Sequence, residues 1–252
     1  MRYAVRAALA AALLVPLAAC GGADPRAPEA SPAPSTSPAG LPSRTPLPTP
    51  TGATFPAYAV HAKGRSVAVH DGPGGRALRT FANPQPSGAP LVFLLVSEQQ
   101  DWLRVQLPAR PNGSTGWVRR ADVTLHGVPY RVDVLRGAHQ LRLFEYGRQV
   151  RVFPVGIGTS RTPTPGGTFY LKELLQPPDP DGDYGPYAYG LSGYSNVLTT
   201  FNGGDGVIGI HGTNQPSSVG RDVSHGCIRM RNADITFLAR ILPLGTPVRI
   251  LA

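Results

Sequence analysis

Glycine and proline break this chain too often for long helices to persist: 30 Gly and 28 Pro stand among 252 residues. Inside a helix each glycine costs about 1 kcal/mol relative to alanine, and each proline about 3 kcal/mol. A helical bundle or coiled coil is therefore excluded, and strands, turns and linkers are favoured. Charged residues make up only 15%, below the roughly 25% of ordinary soluble domains. The length allows one or two domains.

The N-terminus carries Arg2 and Arg6, then an apolar run from Ala7 to Ala19 with one proline. That run suits the core of a signal peptide, about 7–15 residues, and falls short of the ~20 needed to cross a bilayer. It ends in Leu17-Ala18-Ala19-Cys20-Gly21, which resembles a bacterial lipobox. The resemblance implies that 1–19 is a lipoprotein signal peptide and that the Cys20 thiol receives the lipid. The protein would then be exported and anchored by lipid to the outer face of the bacterial cell membrane, acting in the cell wall or periplasmic space. The alternative is an ordinary secretory signal with an incidental cysteine.

Cys20 and Cys227 are the only cysteines. With Cys20 lipidated, Cys227 has no partner within the chain, so it pairs with another chain or its thiol is used. The formal charge of +9 falls to +7 without Arg2 and Arg6, a balance that tolerates anionic surroundings. Export and the absence of any Lys/Arg run argue against nucleic acid as a partner.

Residues 20–56 read as a linker, with ten prolines over 21–56 among Ala, Ser, Thr and Gly and no aromatic before Phe55. Such a stretch cannot bury a core; in polyproline-II geometry, at ~3.1 Å per residue, it reaches up to about 100 Å. Over 57–126 short strands alternate with turns. Ser66–His70 precedes the turn cluster Asp71–Gly75, Leu91–Val96 is a continuous apolar run, and Trp102–Leu107 and Gly116–Arg119 follow. These segments resemble the small Src-homology-3-like β-barrels of bacterial cell-wall proteins. Trp102 and Trp117 are expected in the barrel core, with a ligand groove as the alternative.

Residues 127–252 form a second β-rich region. Tyr130–Val134 and Gln140–Leu143 alternate cleanly, and Val150–Val152 returns after Gly147-Arg148, the pattern of half-buried hairpins. Asn232 is placed to cap a short helix presenting Ile235, Leu238 and Leu242, stopped by Pro243 and Gly245. Thr246–Ile250 reads as a last strand that Pro247 assigns to an edge or bulge. The fold class is mainly β, with one or two short helices in the second domain.

Three reactive side chains crowd into seventeen positions: His211, His225 and Cys227, each flanked by glycine. A thiol of ordinary pKa ~8.5 is mostly protonated at neutral pH, and an adjacent imidazole can take its proton to give a thiolate–imidazolium pair that attacks carbonyl carbon. The imidazole needs its other nitrogen held, and backbone N–H groups around Gly226 and Cys227 can face a developing oxyanion.

The run I-H-G-T-N-x-P-x-S-x-G from Ile210, with S-H-G-C-I-R-M ending at Met230, resembles the signature of the YkuD-type L,D-transpeptidase catalytic domain. Thr162–Phe169 resembles that family's T-P-x-G-x-F segment, and the likeness spans roughly Val128 to Leu251. It implies a β-sandwich catalytic domain without metal or organic cofactor. Cys227 would be the nucleophile and His211 the proton acceptor and donor, its ring oriented by the Gly212 carbonyl. His225, Gly226 and Ser224 would shape the oxyanion and substrate site, and Arg229 would meet a substrate carboxylate or hold the loop. Asn214 and Ser218 would shape the connecting loop. Some members carry Asn where this chain has Arg229.

The implied reaction is acylation of Cys227 by the third-residue carbonyl of a peptidoglycan tetrapeptide stem, release of D-Ala, and transfer to an amine of a neighbouring stem. Water as acceptor would make it a carboxypeptidase; a protein or free D-amino acid would give attachment or exchange. Carbapenems are expected inhibitors. Three rival readings stay open: a buried structural thiol at Cys227, a zinc site formed by His211, His225 and Cys227, and a lipid-anchored wall-binding protein whose barrel does the work. Asp179–Asp183 lacks the glycine and glutamate of a calcium loop and reads as an acidic turn. The aromatic run Asp183–Gly190 is either a lid or a packed loop.

Overall fold

The computed structural model describes residues 56–200 and 204–252, so the signal peptide, Cys20 and nearly all of the linker expected above lie outside the described residues. The first region contributes β1 (Ala57–Ala62), β2 (Ser66–His70), β3 (Ala77–Ala82), β4 (Val92–Gln99), β5 (Trp102–Gln106), β6 (Thr115–Arg119) and β7 (Val123–Val128). They form one antiparallel sheet in the order β3-β2-β6-β5-β4-β1-β7. Alternation decides which side is buried: Val67, Val69, Leu103, Val105 and Val118 point inward with Val60, Leu91 and Phe93.

The tryptophans do not join that core. Trp102 faces Arg119 across the β5–β6 ladder, and Arg104 faces Trp117. Both rings are half-buried on the outer side of the sheet, where the Arg119 guanidinium lies 5.0 Å from the Trp102 ring and His70 meets it edge-on at 4.9 Å. The inward positions of these strands are already filled by β-branched and leucine side chains, so the period-2 register turns the indoles outward.

The second region comprises β8 (Tyr130–Leu135), β9 (Gln140–Glu145), β10 (Arg148–Pro154), β11 (Ile157–Gly158), β12 (Gly167–Leu175), β13 (Ala188–Tyr194), β14 (Val207–His211), β15 (Asp222–Ser224), β16 (Ile228–Arg229), α1 (Asn232–Ile241) and β17 (Pro247–Leu251). Eight strands make a mixed sheet ordered β10-β9-β8-β17-β12-β13-β14-β16, and β11 pairs with β15. The β8–β9–β10 meander follows the alternation in the sequence. Pro247 is not at an edge: β17 lies between β8 and β12, and as the first residue of its strand the proline still fits a central position. Helix α1 buries Ile235, Leu238 and Ala239.

All described residues belong to one compact unit, and the two sheets are fastened together. Val92 and Leu94 of β4 enter the core of the second region. The buried Tyr170 hydroxyl donates to the Val92 carbonyl at 3.1 Å, and Gln106 Nε2 donates to the Thr168 carbonyl at 2.6 Å.

Candidate active site

Strands β14 and β16 run parallel at the sheet edge, with Ile210 opposite Ile228 and His211 opposite Arg229. This pairing brings together two segments that the sequence separates by a loop. Cys227 sits immediately before β16, and its Sγ accepts a hydrogen bond from the Gly209 N–H at 3.4 Å. A methyl group at position 209 would lie 3.9 Å from both Cys227 Sγ and His211 Cδ2, and 3.0 Å from the Tyr189 carbonyl. Thiol and imidazole thus flank one point on the chain, where an added methyl would meet both at ordinary contact distance and press on the Tyr189 carbonyl.

His211 is buried at 5% exposure, and its Nδ1 donates to the Gly212 carbonyl at 2.6 Å. That bond fixes the tautomer, leaving Nε2 with its lone pair. Burial pushes the imidazole pKa down to about 4, and the Arg229 charge adds to the shift against the opposing Gly212 bond and Asp183. Burial pushes the half-buried Cys227 thiol up from its ordinary value, while the Gly209 N–H and Arg229 work against this. Both shifts favour a thiol beside a neutral imidazole over a thiolate–imidazolium pair at rest.

The loop leading to Cys227 is braced from within. Gly226 holds φ +119, a left-handed conformation that L side chains avoid. Buried Ser224 donates from Oγ to the Cys227 carbonyl at 2.6 Å and accepts the Gly226 N–H at 3.1 Å. The Gly226 N–H is thus engaged, and Ser224 faces the loop rather than an open cleft. From the other side Thr164 Oγ1 donates to the Gly226 carbonyl at 2.9 Å and accepts the Gly158 N–H at 2.8 Å. Thr159 N–H and Thr162 Oγ1 both reach the Ser224 carbonyl at 3.1 Å.

The remaining predicted residues separate. His225 is exposed while His211 is buried, and among the described residues no group of three His, Cys, Asp or Glu is placed to hold a metal ion. Arg229 is half-buried beside His211; its Nη1 reaches Gln215 Oε1 at 3.5 Å, and its buried Nε has no hydrogen-bond partner among the described residues. Ser218 donates to the Gln215 carbonyl at 2.6 Å, and Asn214 is exposed in the same loop.

A family profile, the L,D-transpeptidase catalytic domain (YkuD), matches residues 129–250. A protein named as the L,D-transpeptidase YkuD of Bacillus licheniformis is 42% identical over 123 residues, 49% of this chain and 66% of its own length. Its namesake in Bacillus subtilis is 35% identical over 150 residues, covering 57% of this chain and 83% of its own. The chain belongs to the L,D-transpeptidase family. The solved L,D-transpeptidase from Mycobacterium smegmatis aligns with 64% of this chain and 90% of its own, at 17% identity and a TM-score of 0.42, too loose a superposition to add to that assignment.

Within this family member, several side chains at the site carry no reactive group that would announce them in sequence. Asn232 was expected to cap α1, but its Oδ1 accepts the Thr213 N–H at 2.8 Å and so holds the segment after His211. Tyr184 lies over the catalytic histidine candidate, ring centroids 4.8 Å apart. Gly185, at φ +63, packs its backbone against Gly212, and a side chain on either glycine would collide with Asn232 Oδ1. The aromatic run is thus packed onto the site. The acidic turn ahead of it closes on itself, with Asp179 Oδ1 accepting the Asp181 N–H at 2.9 Å.

Proposed function

We propose that this protein is a cell-wall L,D-transpeptidase in which Cys227 attacks the third-residue carbonyl of a peptidoglycan tetrapeptide stem. The observation that carries the reading is the pairing of β14 with β16, which sets Cys227 and a tautomer-fixed, neutral His211 about Gly209. As Sγ bonds to the carbonyl carbon, its proton passes to His211 Nε2. The tetrahedral oxyanion then faces the Cys227 N–H, since the Gly226 N–H is engaged by Ser224. Collapse breaks the amide bond to terminal D-Ala, whose amine leaves with the proton from His211. An amine of a second stem attacks the thioester, gives its proton to His211 and restores the thiol.

Arg229 is assigned to the carboxylate of the bound stem. What supports this is its position opposite His211 and its buried Nε, which has no hydrogen-bond partner among the described residues, because a buried guanidinium atom without an acceptor is costly unless a ligand completes it. Ser224, Gly226 and Thr164 hold the loop that presents Cys227. His225, next to Ser224 in the same loop, is exposed to an incoming stem. The same thiol would be open to acylation by carbapenems.

The rest of the chain is read in the same terms. Residues 1–19 are a lipoprotein signal peptide, Cys20 carries the lipid, 20–56 are a tether, and the seven-stranded sheet is a bacterial Src-homology-3-like barrel. The enzyme would then work in the wall at the end of its linker. Purified disaccharide-tetrapeptide incubated with the protein and with Cys227→Ala, read by mass spectrometry, tests the reaction. Loss of D-Ala with a dimer joined between third residues supports transpeptidation. Hydrolysis without dimer would make the protein a carboxypeptidase, and neither product from folded protein would overturn the tetrapeptide donor.

A further inference from the structure

The placement of His211 depends on how β14 registers against β13, and loop length does little to fix that register, the open end of the hairpin being closed by one bond from the Ser195 N–H to the Gly206 carbonyl at 2.8 Å. The connection from Ser195 to Gly206 is long, and a short turn is what normally sets hairpin register. The ladder is also irregular. Gly190 lies opposite Gly209 and Tyr194 opposite Val207, so four steps of β13 span two of β14. A slip of β14 would carry the Gly209 N–H away from Cys227 Sγ and move His211 with it.

The first sheet supplies an external clamp at this point. The loop after β5 sends Arg110 into the connection, where Nη1 donates to the Ser195 carbonyl at 2.8 Å and Nη2 to the carbonyls of Leu198 and Asp205 at 3.1 and 3.0 Å. One guanidinium thereby gathers both arms of the connection, and it lies 4.9 Å from the Tyr194 ring. Asn112 pairs with Tyr194 as a strand residue would. Its Nδ2 donates to the Tyr194 carbonyl at 2.8 Å and its Oδ1 accepts the Tyr194 N–H at 2.9 Å. Tyr194 returns a bond from its hydroxyl to the Pro108 carbonyl at 2.8 Å. The clamp grips β13 at its last residue and the connection at Asp205, two residues before β14 begins.

We propose that Arg110 and Asn112 are positioning residues of the transfer reaction, through which the first sheet holds β14 in the register that sets Gly209 and His211 about Cys227. The inference rests on the reading of Cys227 and His211 as the reacting pair. It makes the N-terminal sheet a working part of the enzyme, whatever else that sheet binds.

The test compares Arg110→Ala, Arg110→Lys and Asn112→Ala with Gln106→Ala in the full chain. Gln106 crosses the same seam but holds Thr168 on β12, away from the hairpin. Each variant is measured for kcat and KM on disaccharide-tetrapeptide, for thermal midpoint, and for the rate at which iodoacetamide alkylates Cys227 across pH. Arg110→Ala is expected to lower kcat roughly tenfold or more with KM within about twofold, as small misplacements of reacting groups do. Its alkylation profile should move to higher pH, because the Gly209 N–H that favours the thiolate is displaced. Arg110→Lys should recover part of kcat, since an ammonium cannot reach all three carbonyls, and Asn112→Ala should fall between. Gln106→Ala should lower the thermal midpoint while leaving kcat and the alkylation profile unchanged. A wild-type kcat and alkylation profile in Arg110→Ala would overturn the proposal, as would an equal loss of kcat in Gln106→Ala. If the wild type proved inert toward tetrapeptide, the alkylation profiles alone would still decide the clamp.

Discussion

The two sheets bury different kinds of side chain. Among the described residues, Gln106 is the one buried polar side chain of the first sheet, and it bonds outward to Thr168 of the second. Beyond Val128 ten are buried, Thr164, His211, Thr213, Ser218 and Ser224 among them, and these five stand on the segments that build or flank the Cys227 site. Apolar packing tolerates exchange of one hydrophobe for another, whereas a buried polar group demands its partner. The first sheet is a platform in which shape matters; the second contains a network in which each bond fixes the next. Mutations in the apolar core of the first and the polar network of the second should therefore separate stability from turnover.

The largest effect belongs to the thiol. Cys227→Ser keeps the volume but replaces an intrinsically strong nucleophile by a hydroxyl, and turnover should fall by at least about 10⁴-fold. The fold should stay intact, because among the described residues Sγ accepts one bond, from Gly209 at 3.4 Å. Intact-mass measurement after exposure to a carbapenem should show an adduct on the wild type and none on the variant. An adduct of the same mass on Cys227→Ala, which offers no hydroxyl to acylate, would place the nucleophile elsewhere.

Leu103 and Ser224 give the direct contrast. Leu103 is fully buried at the centre of the first core, so Leu103→Ala should cost about 3 kcal/mol of stability with kcat of the folded protein within twofold. Ser224→Ala removes the bonds to the Cys227 carbonyl and the Gly226 N–H, and should cost about 1–3 kcal/mol together with a kcat loss of roughly 10–100-fold. Urea unfolding beside steady-state kinetics reads both. Equal kcat losses in the two variants would break the distinction between platform and network.

The strands were the legible part of the fold. Alternation at Tyr130–Val134, Gln140–Leu143 and Ser66–His70 shows in sequence because one face of each is buried, and the turns at Asp71–Gly75 and Gly147 announce themselves by residue type. Periodicity says which residues share a face, however, not which face is buried. Trp102 and Trp117 were therefore expected inside, where Leu103, Val105 and Val118 actually point. Pro247 misled for a related reason, since a proline restricts a strand only where its missing N–H is needed. At the site, Cys227 and His211 stand out by chemistry. Thr164, Asn232, Tyr184 and Gly209 do not, because their roles come from contacts across 18 or more positions of sequence. Ser224 was visible as a residue but not as a brace, since nothing local tells whether a hydroxyl faces a ligand or its own loop.

The buried network should also carry an acid sensitivity. His211 titrates near 6.5 when unfolded and at about 4 in the fold, so between these values the unfolded chain binds the extra proton. Stability contributed by the neutral imidazole is thus complete above pH 6.5 and is lost as pH falls toward 4. Between pH 7 and 5 the loss should be about 2 kcal/mol. His211→Gln removes the titration, so the stability gap between wild type and variant in urea should shift by that amount in favour of the variant at pH 5. Asp133 also loses stabilisation in acid: burial raises its carboxyl, but Arg249 and Arg131 outweigh this and hold it below the usual range. That contribution is common to both proteins and cancels. A gap independent of pH would mean that His211 is not buried as a neutral ring.

The smallest effect tests the outward face of the first sheet. Trp102 and Arg119 are directly cross-strand, with the guanidinium 5.0 Å from the indole ring, and Arg119 is exposed. Had the indole been a core residue, Trp102→Ala would cost about 3–5 kcal/mol. On a half-exposed face it should cost about 1–2 kcal/mol, scaled to the apolar area it covers. A double-mutant cycle of Trp102→Ala with Arg119→Ala should return a coupling of roughly 0.5–1 kcal/mol, the worth of an exposed cation–π pair, with kcat on disaccharide-tetrapeptide unchanged throughout. Because Arg110 enters the hairpin from the opposite end of β5, this pair should also be energetically independent of the clamp, and Trp102→Ala with Arg110→Ala should add without coupling. A coupling between them would mean that the sheet transmits strain along β5, and the first region would then act on the site as a whole rather than through one loop.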